Sequence, residues 1–180
     1  MENTRRDFIQ KLGYGLVVPS TNMLSTIAKP PLGLELAFEM HINVGKPIEV
    51  GVTPQGTRRI IPILGGSFKG EKIQGTVLEG GADWQLIRKD GVAEIEAKYT
   101  LKTDDGTLIY IINKGLRHGP PEVMKRLAKG EKVDSSEYYF RTTPVFETNE
   151  GKYDWLMRSV FVAKGIRNPD NVVIEVWKLL

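Results

Sequence analysis

Four short stretches gather side chains that could do chemistry. Gly80-Gly81-Ala82-Asp83-Trp84-Gln85 sets a carboxylate and a large ring directly after a double glycine. Asp83 could serve there as a general base or hydrogen-bond acceptor, and Trp84 as a wall for an apolar or sugar-like ligand. A bulge followed by a core tryptophan is the plain structural account of the same residues. Thr103-Asp104-Asp105-Gly106 pairs two acids of the kind that hold a metal or exchange protons. Asp105-Gly106 already has a role as a hairpin turn, which leaves Asp104 as the freer carboxylate. Asn113-Lys114-Gly115-Leu116-Arg117-His118-Gly119 joins an amide, a guanidinium and an imidazole where a strand gives way to a loop. Arg117 could clamp a carboxylate or phosphate, and His118 could shuttle a proton. In Glu137–Pro144, alternation sends Tyr139 and Arg141 to one face and Tyr138 and Phe140 to the other. Tyr139 and Arg141 reach a ligand only if theirs is the inner face; Trp155 and Arg158, on the strand expected next, raise the same question.

Absences narrow the field. The chain has 180 residues and no cysteine, so thiolate catalysis, disulfides and cysteine-ligated metals are excluded. It carries no HExxH, no phosphate loop and no GxSxG. With His41 and His118 as the only histidines and no acid at metal-ligand spacing from either, no metal site is indicated, and no residue pattern names a cofactor. The net charge of +3 comes from 25 basic and 22 acidic residues, without a Lys/Arg run of the kind that tracks phosphates. Nucleic acid is therefore not an expected partner, whereas a small molecule is; association with a second copy of the chain is left open.

These residues need a scaffold, and strand patterns supply it. Leu34–Val44 alternates strictly, with Leu34, Leu36, Phe38, Met40, Ile42 and Val44 on one face. Thr57–Leu64, Gly70–Leu78 and Asp83–Arg88 read as further strands, with Gly65-Gly66 and Gly80-Gly81 as bends or bulges. Asp90-Gly91 and Asp105-Gly106 predict tight turns with both central residues at positive φ, which makes Trp84–Asn113 a three-strand meander. Later strands are expected at Glu137–Thr148, Leu156–Lys164 and Val172–Lys178. One short helix, Pro121–Ala128 closed by Gly130, sits in the long connection from Lys114 to Ser136. About nine or ten strands joined mostly by hairpins point to an all-β chain, an antiparallel β-barrel that could hold a small ligand in its mouth.

The N-terminus has a different character. Thr4–Lys11, TRRDFIQK, resembles the twin-arginine export motif, with Ile9 in the place of leucine. The segment after it, Leu12–Ile27, is too short and too interrupted by Pro19-Ser20-Thr21-Asn22 to span a membrane. Residues 1–28 are thus expected to be an export signal recognised through residues 4–11, 29–33 a Pro-Pro junction, and 34–180 a single β-barrel domain outside the cytoplasm, in the periplasm. An amphipathic first helix is the alternative.

Taken in order, several segments resemble one family. They are Gly65-Gly66-x-Phe68-x-Gly70, Gly75-x-Val77, Gly80-Gly81-Ala82-Asp83-Trp84, Thr103-Asp104-Asp105-Gly106-x-x-Ile109, Asn113-x-Gly115-x-Arg117, Tyr139-Phe140-Arg141-Thr142-x-Pro144 and Tyr153-x-Trp155-Leu156. The family is the uncharacterised bacterial proteins carrying the domain of unknown function numbered 3237. The resemblance implies an antiparallel barrel with a central pocket. It also implies that Asp83, Trp84, Asp104, Arg117 and Arg141 belong to one site, but it supplies no reaction. Two functions are then expected. One is binding of an apolar or ring-containing molecule with polar or anionic groups, through Trp84, Asn113, Arg117, Tyr139, Arg141 and Trp155. The other is a cofactor-free lyase, isomerase or hydrolase with Asp83 or Asp104 as base and Arg117 or His118 as electrophile or acid. A carboxylate of perturbed pKa, beside a donor and facing the same cavity, would separate the second from the first.

Overall fold

Alternation between buried and exposed residues runs almost unbroken through the centre of the chain, and it closes a barrel. The computed structural model describes residues 32–180; the expected export segment and the start of the junction lie outside them. Strands β1 (Leu34–Val44), β2 (Ile48–Thr53), β3 (Gly56–Lys69), β4 (Gln74–Val77), β5 (Ala82–Ile87), β6 (Ala93–Thr103) and β7 (Leu108–His118) lead to helix α1 (Pro121–Ala128). Strands β8 (Tyr139–Thr148), β9 (Phe161–Arg167) and β10 (Asn171–Leu179) complete the chain. In β6, Ala93, Ile95, Ala97, Tyr99, Leu101 and Thr103 are buried while their neighbours are not, so one face looks into the lumen.

The ten strands form one antiparallel sheet in the order β1-β10-β9-β8-β7-β6-β4-β3-β2, and β3 returns to pair with β1. Strands β4 and β5 lie end to end between β3 and β6 and act as one broken stave. Strand β2 continues β1 past Pro47 as a flap on β3. The result is a closed barrel of eight staves, small enough for side chains to fill most of its interior. An all-β antiparallel barrel with one short helix in a long connection is the architecture observed.

Several local expectations need correction. The alternation of β1 does not stay on one face: Leu36 pairs with Trp177 and Phe38 with Val176, so Ala37 is an extra residue. This bulge flips the parity, leaving Leu34 and Leu36 exposed while Phe38, Met40 and Ile42 are buried. Strand β3 runs through Gly65-Gly66 to Lys69 instead of ending at Leu64. A second bulge there leaves Leu64 opposite no partner and 51% exposed. The expected Gly70–Leu78 strand is paired only over Gln74–Val77. Asp154–Leu156 is a 3-10 turn, so Trp155 and Arg158 are not on a strand, and β9 begins at Phe161. Nothing in the interrupted segment around Pro47 and Gly51 predicts β2, whose ladder comes from its long-range partner β3.

The two Asp-Gly turns are three-residue loops, and only their glycines are needed at the left-handed position. Arg88 O accepts Gly91 N–H at 3.0 Å while Arg88 N–H donates to Val92 O at 2.9 Å. Thr103 O accepts Gly106 N–H at 2.9 Å, and Thr103 N–H donates to Thr107 O at 3.0 Å. Gly91 and Gly106 take φ of 85° and 88°. This is a type I turn followed by a glycine bulge.

Helix α1 begins on Pro121, where a missing N–H costs nothing, and its chain turns away at Gly130, φ 77°. Val123 and Leu127 are its buried face. That face covers one end of the barrel, and beneath it lies the site.

Candidate functional site

The lumen has a closed end and an open end. Phe38 packs edge-on to Phe68 and Phe146, with ring centroids 5.8 and 5.7 Å apart, and Phe146 packs on Phe161 at 5.1 Å. At the other end the same inward parity brings polar side chains to the lumen. Asp83 and Gln85 come from β5, Asn113 and Arg117 from β7, Thr142 from β8 and Arg167 from β9. With Ile42, Ile95, Tyr99 and Phe140, several of these line a cavity of about 60 Å³, room for several waters or a small organic group. It adjoins, across Ile61, Arg117 and Arg167, a vestibule of about 440 Å³ under α1.

One chain of hydrogen bonds organises the polar end. Arg59 Nε donates to Gln85 Oε1 at 2.7 Å, and Arg117 Nη2 reaches the same oxygen at 3.3 Å. Gln85 Nε2 donates to Asp83 Oδ2 at 2.9 Å. Asp83 Oδ1 accepts the backbone N–H of Glu96 at 3.0 Å, at a point where pairing between β5 and β6 is interrupted. The carboxylate thus replaces a missing rung of the ladder. Gln85 is fully buried and serves as the link between the cations and the acid.

Burial governs the electrostatics. It pushes the Asp83 carboxyl above the usual range, against the opposing pull of the Glu96 N–H and the Arg117 charge. Arg117, 7% exposed, is lowered to about 10 by burial and by the nearby Arg59 charge. Burial and the Asp83 charge push the Tyr99 hydroxyl up, so it is a neutral phenol in the lumen. Its OH donates to Met40 Sδ at 3.7 Å, a weak partner. The Arg117 guanidinium lies over the Phe140 ring, 5.6 Å from its centroid. Phe140 in turn covers Gly165, where a Cβ would come within 2.3 Å of the ring.

Three buried polar atoms at this end have no partner: Asn113 Oδ1, Arg117 Nε and Thr142 Oγ1. They share one patch of wall, since Gly115, between Asn113 and Arg117 on β7, pairs with Thr142 on β8. Buried polar groups are nearly always satisfied, so this patch is where a water or a ligand group would find partners.

The expected site residues divide sharply. Asp83, Asn113 and Arg117 converge on the lumen. Trp84 points outward, 36% exposed, with the Lys98 ammonium 5.8 Å from its ring. Tyr139 and Arg141 are also outside: Tyr139 stacks on His118 at 4.9 Å and carries the Arg141 guanidinium at 5.4 Å. Asp104 is exposed and accepts from Gln74 Nε2 at 2.6 Å. Asp105 is held well below the usual carboxylate range by Thr103, Lys152 and Tyr153, a turn-locking role. Trp155 caps the closed end, 5.9 Å from Phe161, far from the polar cluster. Among the described residues, no three His, Asp or Glu side chains gather to hold a metal.

Arg59, Gln85, Thr142 and Arg167 are part of the site and were not expected. For Thr142 and Arg167 the signal was parity. Thr142 shares a face with Phe140 and Phe146, and Arg167 shares one with Phe161 and Ala163. Arg59 precedes Ile60-Ile61, whose apolar pair gives no parity to read.

The family profile described as protein of unknown function (DUF3237) matches residues 32–179. The chain belongs to the DUF3237 family. A UPF0311 protein of Rhodopseudomonas palustris is 46% identical over 151 residues, which cover 84% of this chain and 99% of that protein. Its crystal structure superposes with a TM-score of 0.82, covering 84% of this chain and 100% of that one. A protein from Acinetobacter baumannii described as β-barrel-like is 42% identical with a TM-score of 0.74, covering 86% of this chain and 99% of that one. The DUF3237 barrel also resembles an enzyme from Penicillium herquei, at 19% identity and a TM-score of 0.64 over 84% of this chain and 97% of that one. That last likeness is one of fold alone.

Proposed function

We propose that this DUF3237 barrel binds a small organic molecule in its lumen, with an apolar body against Ile42, Ile95 and Phe140 and polar groups on the β7–β8 wall. The observation that carries the proposal is the patch of unpaired atoms on Asn113, Arg117 and Thr142, the first two of which line the cavity. A buried polar atom without a partner costs about 1–3 kcal/mol, which a ligand with matching donors and acceptors recovers. Native mass spectrometry of the chain purified from the cells that make it tests this. An extra small-molecule mass on the parent that is lost in Arg117→Met supports it; an unliganded mass in the parent, together with no binding from a fragment library, overturns it.

One observation favours a second step in the same cavity. Asp83 is a half-buried carboxyl with its pKa raised by burial, facing the lumen beside Arg117. That is the arrangement of a general base next to an electrophilic donor. On this proposal Asp83 accepts a proton from the bound molecule and Arg117 holds the developing negative charge. Asp83→Asn then abolishes turnover while ligand affinity stays within about tenfold, about 1.4 kcal/mol. Turnover that survives the substitution removes Asp83 from the role of base.

We also propose that residues 1–28 direct export, on the strength of the Arg5-Arg6 motif. N-terminal sequencing of the protein from the periplasm checks this; a chain that starts at Met1 there overturns cleavage.

A further inference from the structure

We infer that the vestibule under α1 is an anion site, and that the molecule bound in the lumen is an amphiphile whose carboxylate or phosphate head docks there. The inference rests on the proposal that the lumen takes a small organic molecule, and it adds the position and chemistry of that molecule's head.

Charge at the vestibule is one-sided. Arg59, Arg117, Arg167, Lys125 and Lys129 line it, and no acidic side chain does. The three arginines converge closely enough to disturb one another, each approaching from a different strand: β3, β7 and β9. Arg59 helps to lower the pKa of both Arg117 and Arg167, in each case after burial. Two acids lie nearby. Asp83 sits deeper in the lumen, and Asp170, on the β9–β10 turn, partly offsets Arg167. The acceptors within reach are already committed. Gln85 Oε1 takes both Arg59 and Arg117, and both Asp83 oxygens hold N–H donors. Arg167 Nη1 donates to the carbonyls of Pro169 and Asn171 at 3.0 and 3.3 Å. Arg117 Nε, in a side chain 7% exposed, is left with nothing.

Such a cluster is costly to assemble without a counter-charge, and a buried guanidinium with an N–H to spare suits a carboxylate or phosphate. Position distinguishes head from body. The Asp83 charge disfavours an anion deep in the lumen, so the head stays at the mouth. Ile61, shared by lumen and vestibule, lies with Arg117 and Arg167 between the two compartments. Lys125 and Lys129 sit on the exposed side, on α1 and just after it, where they meet a head that projects toward solvent.

The test titrates residues 32–180 within the full chain, by protein-observed NMR, with four probes: benzoate, phenyl phosphate, benzyl alcohol and inorganic phosphate. At least one of the two ring anions should bind about tenfold or more tightly than benzyl alcohol, with a preference that shrinks at high salt. Arg117→Met should bring that preference close to one. The double substitution Lys125→Ala and Lys129→Ala, at two exposed side chains, should weaken phenyl phosphate severalfold. Phenyl phosphate binding tighter than benzoate assigns a phosphate head; the reverse assigns a carboxylate. Benzyl alcohol binding as well as both anions overturns the anion site and leaves the binding lumen standing. Inorganic phosphate binding as tightly as phenyl phosphate overturns the amphiphile, because the ring then contributes nothing. If no ring compound binds at all, the lumen proposal fails and takes this one with it.

Discussion

The two ends of the barrel are built from the same strands and reach opposite solutions. At the closed end, Phe38, Phe68, Phe146 and Phe161 meet edge to face and fill the space between staves. Among the described residues, no buried side chain there is left with an unpaired polar atom. At the open end, arginines, an acid and an amide occupy the positions that aromatic rings hold below. The lumen is not filled, and unpaired atoms accumulate on one wall. Along β7 the change takes only a few residues, from Ile109 and Ile111 to Asn113 and Arg117. A barrel can afford an unsatisfied end only if the other end carries the stability.

The largest effect should come from breaking the closed end. Phe146→Ala removes a ring that contacts both Phe38 and Phe161, and should cost about 3–5 kcal/mol. Denaturant unfolding measures it. A cost below about 1 kcal/mol would mean that the aromatic cluster is not what holds the barrel. Next comes Gly165→Ala at the open end. The added Cβ collides with the Phe140 ring, which supports Arg117, so a loss of about 1–3 kcal/mol is expected. Unlike Phe146→Ala, it should also weaken ligand binding, because the Arg117 guanidinium loses its platform. Loss of stability without loss of binding would uncouple Phe140 from the site.

The contrast between ends also explains what could be read from the sequence. Strand periodicity and the Asp-Gly turns are local signals, so β1, the β5–β7 meander and α1 were legible, and so was closure into a barrel. The bulge at Ala37 was not, because an extra residue shows itself only against the partner strand β10. That is why Leu36 falls outside and Phe38 inside. The site was legible where a polar residue shared parity with core positions, as Asp83, Asn113 and Arg117 do. Trp84 and Tyr139 misled by residue type. A large ring suggests a ligand wall, but their parity sends them outward, where they meet Lys98 and Arg141. Arg167 could be read from its parity with Phe161 and Ala163, whereas Arg59 joins the site through long-range strand pairing that no local pattern encodes.

Two carboxylates extend the comparison to pH. Asp83, at the open end, has its pKa raised by burial. Between the ordinary carboxylate value and that raised value, the folded chain keeps a proton that the unfolded chain has released. Its stabilising share is therefore full at acid pH and is lost as pH rises through the folded pKa. Asp83→Asn removes this loss, so the variant should gain on the parent as pH climbs from about 4. Asp105, on the β6–β7 turn, is held low by Thr103, Lys152 and Tyr153. Its share is present above the ordinary carboxylate value and is lost as pH falls through the folded pKa. Asp105→Asn should therefore flatten the acid limb. Unfolding midpoints across pH separate the two, and slopes of the same sign for both variants would contradict the opposite environments.

The smallest effect should come from the outer face. Tyr139 stacks on His118 and carries Arg141, but its 45% exposure and the neighbouring solvent leave little to lose. Exposed cation–π contacts are worth about 0.5–1 kcal/mol. Tyr139→Ala should therefore lower stability by no more than about 1 kcal/mol and leave affinity for any lumen ligand unchanged. Its neighbour one residue on, Phe140, faces the cavity, so Phe140→Ala should alter that affinity. The pair isolates parity from residue type: two adjacent aromatic rings, one strand, opposite faces. If Tyr139→Ala weakened ligand binding as much as Phe140→Ala, the binding surface would have to include the outside of β8, and the division between lumen and exterior would fail.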